Sequence, residues 1–154
     1  MSAILVPIDG GPSAKEALDR AAALAASSGG RLIVLRVVDV ESYTGQFESM
    51  HDKIEETLKT GAEEMLDEAE AIAKKHDVKV ERVIRYGDAS TEIMAFAKEC
   101  GCGQKERDCG QIIMGSAGRR GMTRAFVGST ASRVARQVGA EVTCPVTIVP
   151  APLV

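Results

Sequence analysis

Apolar and polar positions alternate along this chain in blocks of two periods. Ala3–Ile8 is a short apolar, β-branched run that breaks at Asp9, Gly10 and Gly11, the pattern of a buried strand entering a loop. Ser13 followed by Glu16 reads as a capping box, and Ala14, Ala17, Leu18, Ala21, Ala22 and Ala25 recur at helical spacing until Gly29 and Gly30 stop them. Residues 31–40 form a continuous apolar run suited to a strand covered on both faces. After a polar loop at 42–46, Met50, Ile54, Leu58, Ala62, Met65, Ala69, Ile72 and Ala73 mark one stripe of a long helix. Asp52, Glu55 and Glu56 crowd its early turns and Lys74 and Lys75 close it, in accord with the helix dipole.

The alternation continues. Residues 78–86 read as a strand, Gly87 and Asp88 break it, and Asp88 N-caps a helix carrying Ile93, Met94 and Ala97. Residues 112–114 give a fourth strand, 130–138 a fourth helix and Val146–Val149 a fifth strand. Strands separated by helix-length crossovers predict an α/β fold with a parallel sheet covered on both faces. Ligands of such sheets bind beyond the carboxyl ends of the strands, where the strand order reverses. Pattern alone leaves that order open.

At 154 residues the chain is sized for one domain, residues 1–154. Aromatics make up 3% of it, Trp is absent and the net charge is −3, so neither stacking platforms nor a basic field for nucleic acid is available. No apolar run nears the length of a membrane span, nothing resembles a signal peptide, and four unevenly spaced cysteines do not form a secreted disulfide framework. A cytoplasmic protein with no membrane insertion is expected. Cys100, Cys102 and Cys109 are expected as exposed loop thiols, Cys144 as a core residue, and no metal site is assigned, because paired C-x2-4-C units are missing.

Candidate chemistry surrounds the fourth strand. Gly115-Ser116-Ala117-Gly118-Arg119-Arg120-Gly121 follows it, and Gly128-Ser129-Thr130 opens the next helix. Glycines let backbone N–H groups approach an anion, the hydroxyls add donors, and a helix N-terminus adds partial positive charge. Arg119, Arg120 and Arg124 add cations. Read locally, the same residues serve equally well as a strand-to-helix turn.

The spacing Gly115-x2-Gly118-x9-Gly128-Ser129 resembles the G-x2-G-x9-G-[S/T] pattern of the ATP-binding branch of the universal stress protein family. Val6-Pro7-Ile8-Asp9-Gly10, Val37-Val38-Asp39, Arg85-Tyr86-Gly87-Asp88, Ile112-Ile113-Met114-Gly115-Ser116 and Cys144-Pro145-Val146 resemble further landmarks of that family, in its order. The resemblance implies a Rossmann-like five-stranded sheet ordered 3-2-1-4-5, with Asp9 and Gly115 facing one crevice. It implies that Pro7, Asp9 and Val38 meet adenine and ribose, that Met114 and Gly115 line the ribose side, and that Gly118, Gly128, Ser129 and Thr130 hold phosphates. Without it, Asp9 reads as a loop cap and Val38 as a core residue. The expected cofactor is ATP, with Mg2+ left open, and the expected assembly is a homodimer through Val146–Val149.

The function implied is nucleotide-dependent stress response or regulation. The alternatives are a slow ATPase, or an adaptor that regulates a transporter or kinase partner. No catalytic residue is assigned: a P-loop, an SGG-x-DS loop, HxGH, KMSKS and HExxH are all absent, and His51 and His76 read as surface residues. Two segments depart from the family pattern, the long stretch from Cys100 to Cys109 and a smaller extension at 139–143 before Cys144. The first is expected at the amino end of the fourth strand, away from the crevice.

Overall fold

The computed structural model describes residues 2–41, 51–102, 109–117, 127–139 and 142–152. Its elements run β1 (Ala3–Ile8), α1 (Pro12–Ser28), β2 (Arg31–Val38), α2 (His51–Lys74), β3 (Val80–Tyr86), α3 (Ala89–Glu99), β4 (Cys109–Gly115), α4 (Ser129–Gln137) and β5 (Val146–Val149). The sheet is ordered β3-β2-β1-β4-β5 and every pairing is parallel, as the resemblance implies. The chain winds outward from β1 to β3, then returns to the other side of β1 with β4. The switch point therefore lies between β1 and β4.

Strand parity divides the core into two layers. Ile4, Val6 and Ile8 of β1, with Leu32 and Val34 of β2, pack against Ala17, Leu18 and Ala21 of α1 and against Leu66, Ala69 and Ala73 of α2. Leu5, Ile33, Leu35 and Val37 face the other way, toward Ile93, Met94 and Ala97 of α3 and Ala131 and Val134 of α4. Each fully buried Leu, Ile or Val contributes about 1.5–3 kcal/mol relative to exposure, so these layers dominate the stability. No helix among the described residues is long and apolar enough to cross a membrane.

The alanines of α1 let it lie close on the sheet, and Gly115 extends that contact. A Cβ on Gly115 would sit 2.5 Å from Ser13 Oγ and 2.6 Å from the Ala14 nitrogen. This close approach replaces the expected capping box. Gly11 is the N-cap and Pro12 opens the helix. Ser13 is buried, its hydroxyl donating to the Ala117 carbonyl at 2.7 Å and accepting from the Ala117 N–H at 3.2 Å. Glu16 instead pairs with Arg20 one turn on. The C-terminal signal behaves as expected, with Gly29 left-handed at φ 72° and Gly30 N–H bonding back to the Ala25 carbonyl.

Asp88 caps α3, its Oδ2 accepting from the Thr91 N–H, the Thr91 hydroxyl and the Ser90 hydroxyl. Met50, at the head of the predicted long stripe, falls outside the described residues, while Ala62, Ala69 and Ala73 are buried as that stripe requires and Leu66, not part of it, is buried beside them. His76 ties the end of α2 to Asp19 of α1 at 2.8 Å, and His51 lies among Glu41, Asp52 and Glu55 in a half-exposed group at the other end.

The cysteines correct the sequence reading. Cys102 and Cys109 are 1% and 0% exposed, and Cys100 is half-buried, so these are not exposed loop thiols. A disulfide joins Cys102 to Cys144, whose Cα atoms are 5.3 Å apart. Gly101, left-handed at φ 64°, turns the chain back so that Cys102 re-enters the core. Cys144 is buried, as expected. Spacing could not reveal this arrangement, because it depends on the amino ends of β4 and β5 being neighbours.

Candidate functional site

A cleft of about 440 Å³ opens beyond the carboxyl ends of β1, β2 and β4. Pro7, Ile8 and Asp9 form the wall from β1, and Leu35, Arg36 and Val37 the wall from β2. Ala89 and Ile93 enter from the start of α3. Met114 to Ala117 and Gly128 to Ala131 close the opposite side. The cleft thus joins an apolar end, made by strands and α3, to a polar end made by the segment after β4 and the start of α4.

The polar end is tied together through backbone groups. Ser116 is buried; its N–H donates to the Val149 carbonyl at 2.9 Å and its own carbonyl accepts from the Gly128 N–H at 2.6 Å. The two ends of the glycine segment are therefore joined at its base, and Ser13 holds Ala117 beside them. α4 starts at Gly128 with φ −67° and ψ 167°, without a side-chain cap. Its first intrahelical acceptor is the Gly128 carbonyl, taken by Ser132 N–H, so the first-turn amides at the cleft are open to a ligand acceptor. That combination of first-turn N–H groups and the Ser129 and Thr130 hydroxyls can receive an anion.

Seven of the residues singled out from sequence line this one cleft: Pro7, Asp9, Met114, Gly115, Gly128, Ser129 and Thr130. Gly118, with Arg119, Arg120 and Arg124, lies outside the described residues. Val38 does not line the cleft. It packs with Val40 and Ala62 on the opposite side while its carbonyl accepts the Gly87 N–H, and Val37 takes the cleft position. Successive strand residues face opposite ways, and an uninterrupted apolar run does not disclose which of two valines faces a ligand. Asp9 does serve as a loop cap, its Oδ1 accepting the Gly11 N–H at 2.8 Å, while also lining the cleft.

Sequence reasoning missed Ser13, Ala89 and Ile93. For Ala89 and Ile93 a signal existed, since the switch-point rule places the start of any crossover helix near the cleft. Among the described lining residues Asp9 carries the one carboxylate, and there is no histidine, cysteine or lysine. Outside the cleft, the hydrogen bond from the Thr91 side chain, helped by the Thr91 N–H and Ser90, holds the Asp88 carboxyl below its ordinary range, with Arg133 3.9 Å away adding to the effect.

A doubly wound, Rossmann-like α/β protein with its cleft at the switch point is the class that this fold and site define. The chain belongs to the Universal stress protein family, whose model matches residues 1–150. Universal stress protein MJ0531 of Methanocaldococcus jannaschii is 31% identical over 150 residues, covering 97% of this chain and 82% of the relative. Universal stress protein YxiE of Bacillus subtilis is 31% identical over 154 residues, covering 95% and 97%. Among solved structures, the hypothetical protein MJ0577 superposes with a TM-score of 0.80 at 24% identity, over 99% of this chain and 98% of its own. A universal stress protein in complex with cAMP reaches 0.68 at 22% identity, over 98% of both chains. The Archaeoglobus fulgidus protein in complex with dAMP reaches 0.63 at 21%, over 97% and 98%. At these identities the structural likeness establishes the fold.

Proposed function

We propose that the chain binds ATP in the switch-point cleft and acts as a nucleotide-dependent regulatory protein of the stress response. The observation that carries this reading is the junction of an apolar slot with an open helix N-terminus in one cleft, which is what an adenosine joined to phosphates requires. The cleft volume lies within the range of small-molecule sites, about 300–1,000 Å³. That two proteins of this fold hold cAMP and dAMP supports an adenine ligand over other anionic ones.

In this reading Pro7, Asp9 and Val37 border adenine and ribose, with Val37 replacing Val38 in that role. Met114 and Gly115 line the ribose side, and Gly118, Gly128, Ser129 and Thr130 hold the phosphates. Mg2+ accompanies the nucleotide rather than occupying a protein cage, since carboxylate ligands are scarce among the described lining residues, Asp9 carrying the one there. The same scarcity of groups able to act as a base favours binding over turnover. A slow ATPase is the second reading, supported only by the phosphate-holding groups; turnover near ~1 s⁻¹ or faster would establish an enzyme instead.

Titration calorimetry on the parent, Gly128→Val and Ser129→Ala, beside thermal melting of each, tests the proposal. A Cβ branch at Gly128 blocks the approach of phosphate to the helix amides, and loss of the Ser129 hydroxyl should cost about 1.5–3 kcal/mol of binding where it meets a charged oxygen. Unchanged affinity in a Gly128→Val protein that melts like the parent removes the phosphate assignment. Nucleotide released on denaturing gently purified protein identifies the bound species directly.

A further inference from the structure

All four cysteines of the chain meet in one place. Cys100 and Cys102 come from the end of α3, Cys109 from the first residue of β4, and Cys144 from the approach to β5. Cys102 is bonded to Cys144, and Cys109 Sγ lies 3.1 Å from Cys102 Sγ. Cys100 lies beside Cys109, its own thiol donating to the Ala97 carbonyl at 3.5 Å. Three of the four are at most 3% exposed, and the layer around them includes Ala3, Ile33, Val142 and Met94. The cluster sits at the amino ends of β4 and β5, a full strand length, roughly 20 Å, from the cleft.

We infer that these four sulfurs, when all are reduced, form a tetrathiolate site for a soft divalent cation, zinc under cellular conditions. The Cys102–Cys144 disulfide is then the oxidised, metal-free form of the same site.

Two features separate this arrangement from ordinary core cysteines. First, a single disulfide would need two cysteines and leave the others anywhere, whereas here Cys109 touches the bonded pair and Cys100 lies beside Cys109. Second, four sulfurs each about 2.3 Å from a tetrahedral zinc stand about 3.8 Å apart, and the Cys102–Cys109 pair, at 3.1 Å, is already near that spacing.

The chemistry balances. A low-molecular-weight thiol reduces the disulfide, two thiols becoming one external disulfide as Cys102 and Cys144 each gain an electron and a proton. Zn2+ then displaces four protons from the four cysteines. In reverse, an external disulfide takes two electrons from Cys102 and Cys144, leaving as two thiolates, and the cation departs with only Cys100 and Cys109 remaining as sulfur ligands.

The test uses the full chain purified with reductant and without chelator. Elemental analysis should find one zinc per chain, and cobalt exchanged into the site should show both thiolate-to-metal charge transfer and the visible bands of a tetrahedral ion. Cys100→Ser and Cys109→Ser, which leave the bonded pair intact, should each weaken metal affinity at least tenfold, while His51→Ala at the half-exposed His51, Asp52 and Glu55 group should retain one equivalent. Treatment with an external disulfide should release the metal in step with formation of the Cys102–Cys144 bond. Reduced, folded protein with four titratable thiols and no bound zinc or cobalt overturns the inference. So does cobalt bound without a charge-transfer band, or metal retained in full after the disulfide has formed.

Discussion

Gly115 and Gly61 show how differently one missing Cβ can act. At Gly115 the space is filled by the backbone and hydroxyl of the first turn of α1, so Gly115→Ala must push the helix off β4. A loss of about 1–3 kcal/mol is expected from such overpacking, read as a lower urea midpoint with an unchanged slope. Gly61 lies inside α2 with nothing within 4 Å of the position a Cβ would take. Gly61→Ala should therefore stabilise the protein by about 0.5–1 kcal/mol in the same assay, chiefly by restricting the unfolded chain. A destabilised Gly61→Ala would mean that α2 does not run unbroken through this point. At this scale the motif glycines and Asp9 could be picked out from the sequence, because their chemistry is local. Val38 and Ser13 could not. Choosing Val37 over Val38 needs the parity of a strand apolar on both faces, and the role of Ser13 rests on a partner 104 positions away.

Among the elements, α3 offers the clearest pH dependence. Asp88→Ala removes a side-chain cap and should cost about 1 kcal/mol near neutrality, discounted because Asp88 is half-exposed. The folded pKa of Asp88 is depressed, so its contribution is complete above the ordinary carboxylate range and disappears as the pH falls through the lowered value. Urea melts of parent and variant should accordingly differ at pH 7 and converge in acid; a gap that persists at the lowest pH would assign the effect to helix propensity instead. The Asp88 cap was legible because a turn residue stood before a clear helical period. The start of α1 was misplaced by two residues because Ser13 and Glu16 imitate a capping box. There the tertiary demand for a hydroxyl beside Ala117 prevailed over the local pattern.

For the molecule as a whole, strand-helix alternation fixed the class, whereas the strand order followed from family landmarks and not from periodicity. The two sheet edges differ in kind. β3 carries Glu81, Arg82 and Arg85, charges that discourage a further strand, and Arg82 is held by Asp67 and Glu70. β5 reads Val-Thr-Ile-Val and among the described residues pairs with β4 alone. We therefore predict a homodimer in which Val146–Val149 meets its counterpart across a twofold axis. Light scattering should give twice the chain mass of 16.3 kDa, and Ile148→Pro, which removes an edge N–H, should return the protein to monomer. A parent protein that is monomeric at micromolar concentration excludes the pairing.

Ser116 joins this edge to the cleft, since its N–H is held by β5 and its carbonyl by Gly128. A consequence follows for timescale. Loop amides ordinarily exchange with solvent through small local openings, but releasing either of these bonds disturbs the sheet terminus or the start of α4. The amides of Ser116 and Gly128 should thus exchange with deuterium as slowly as neighbouring strand amides, even in protein stripped of small molecules. Their persistence would mean that the entropy of bringing Ser116 and Gly128 together is lost when the chain folds and not when a ligand arrives.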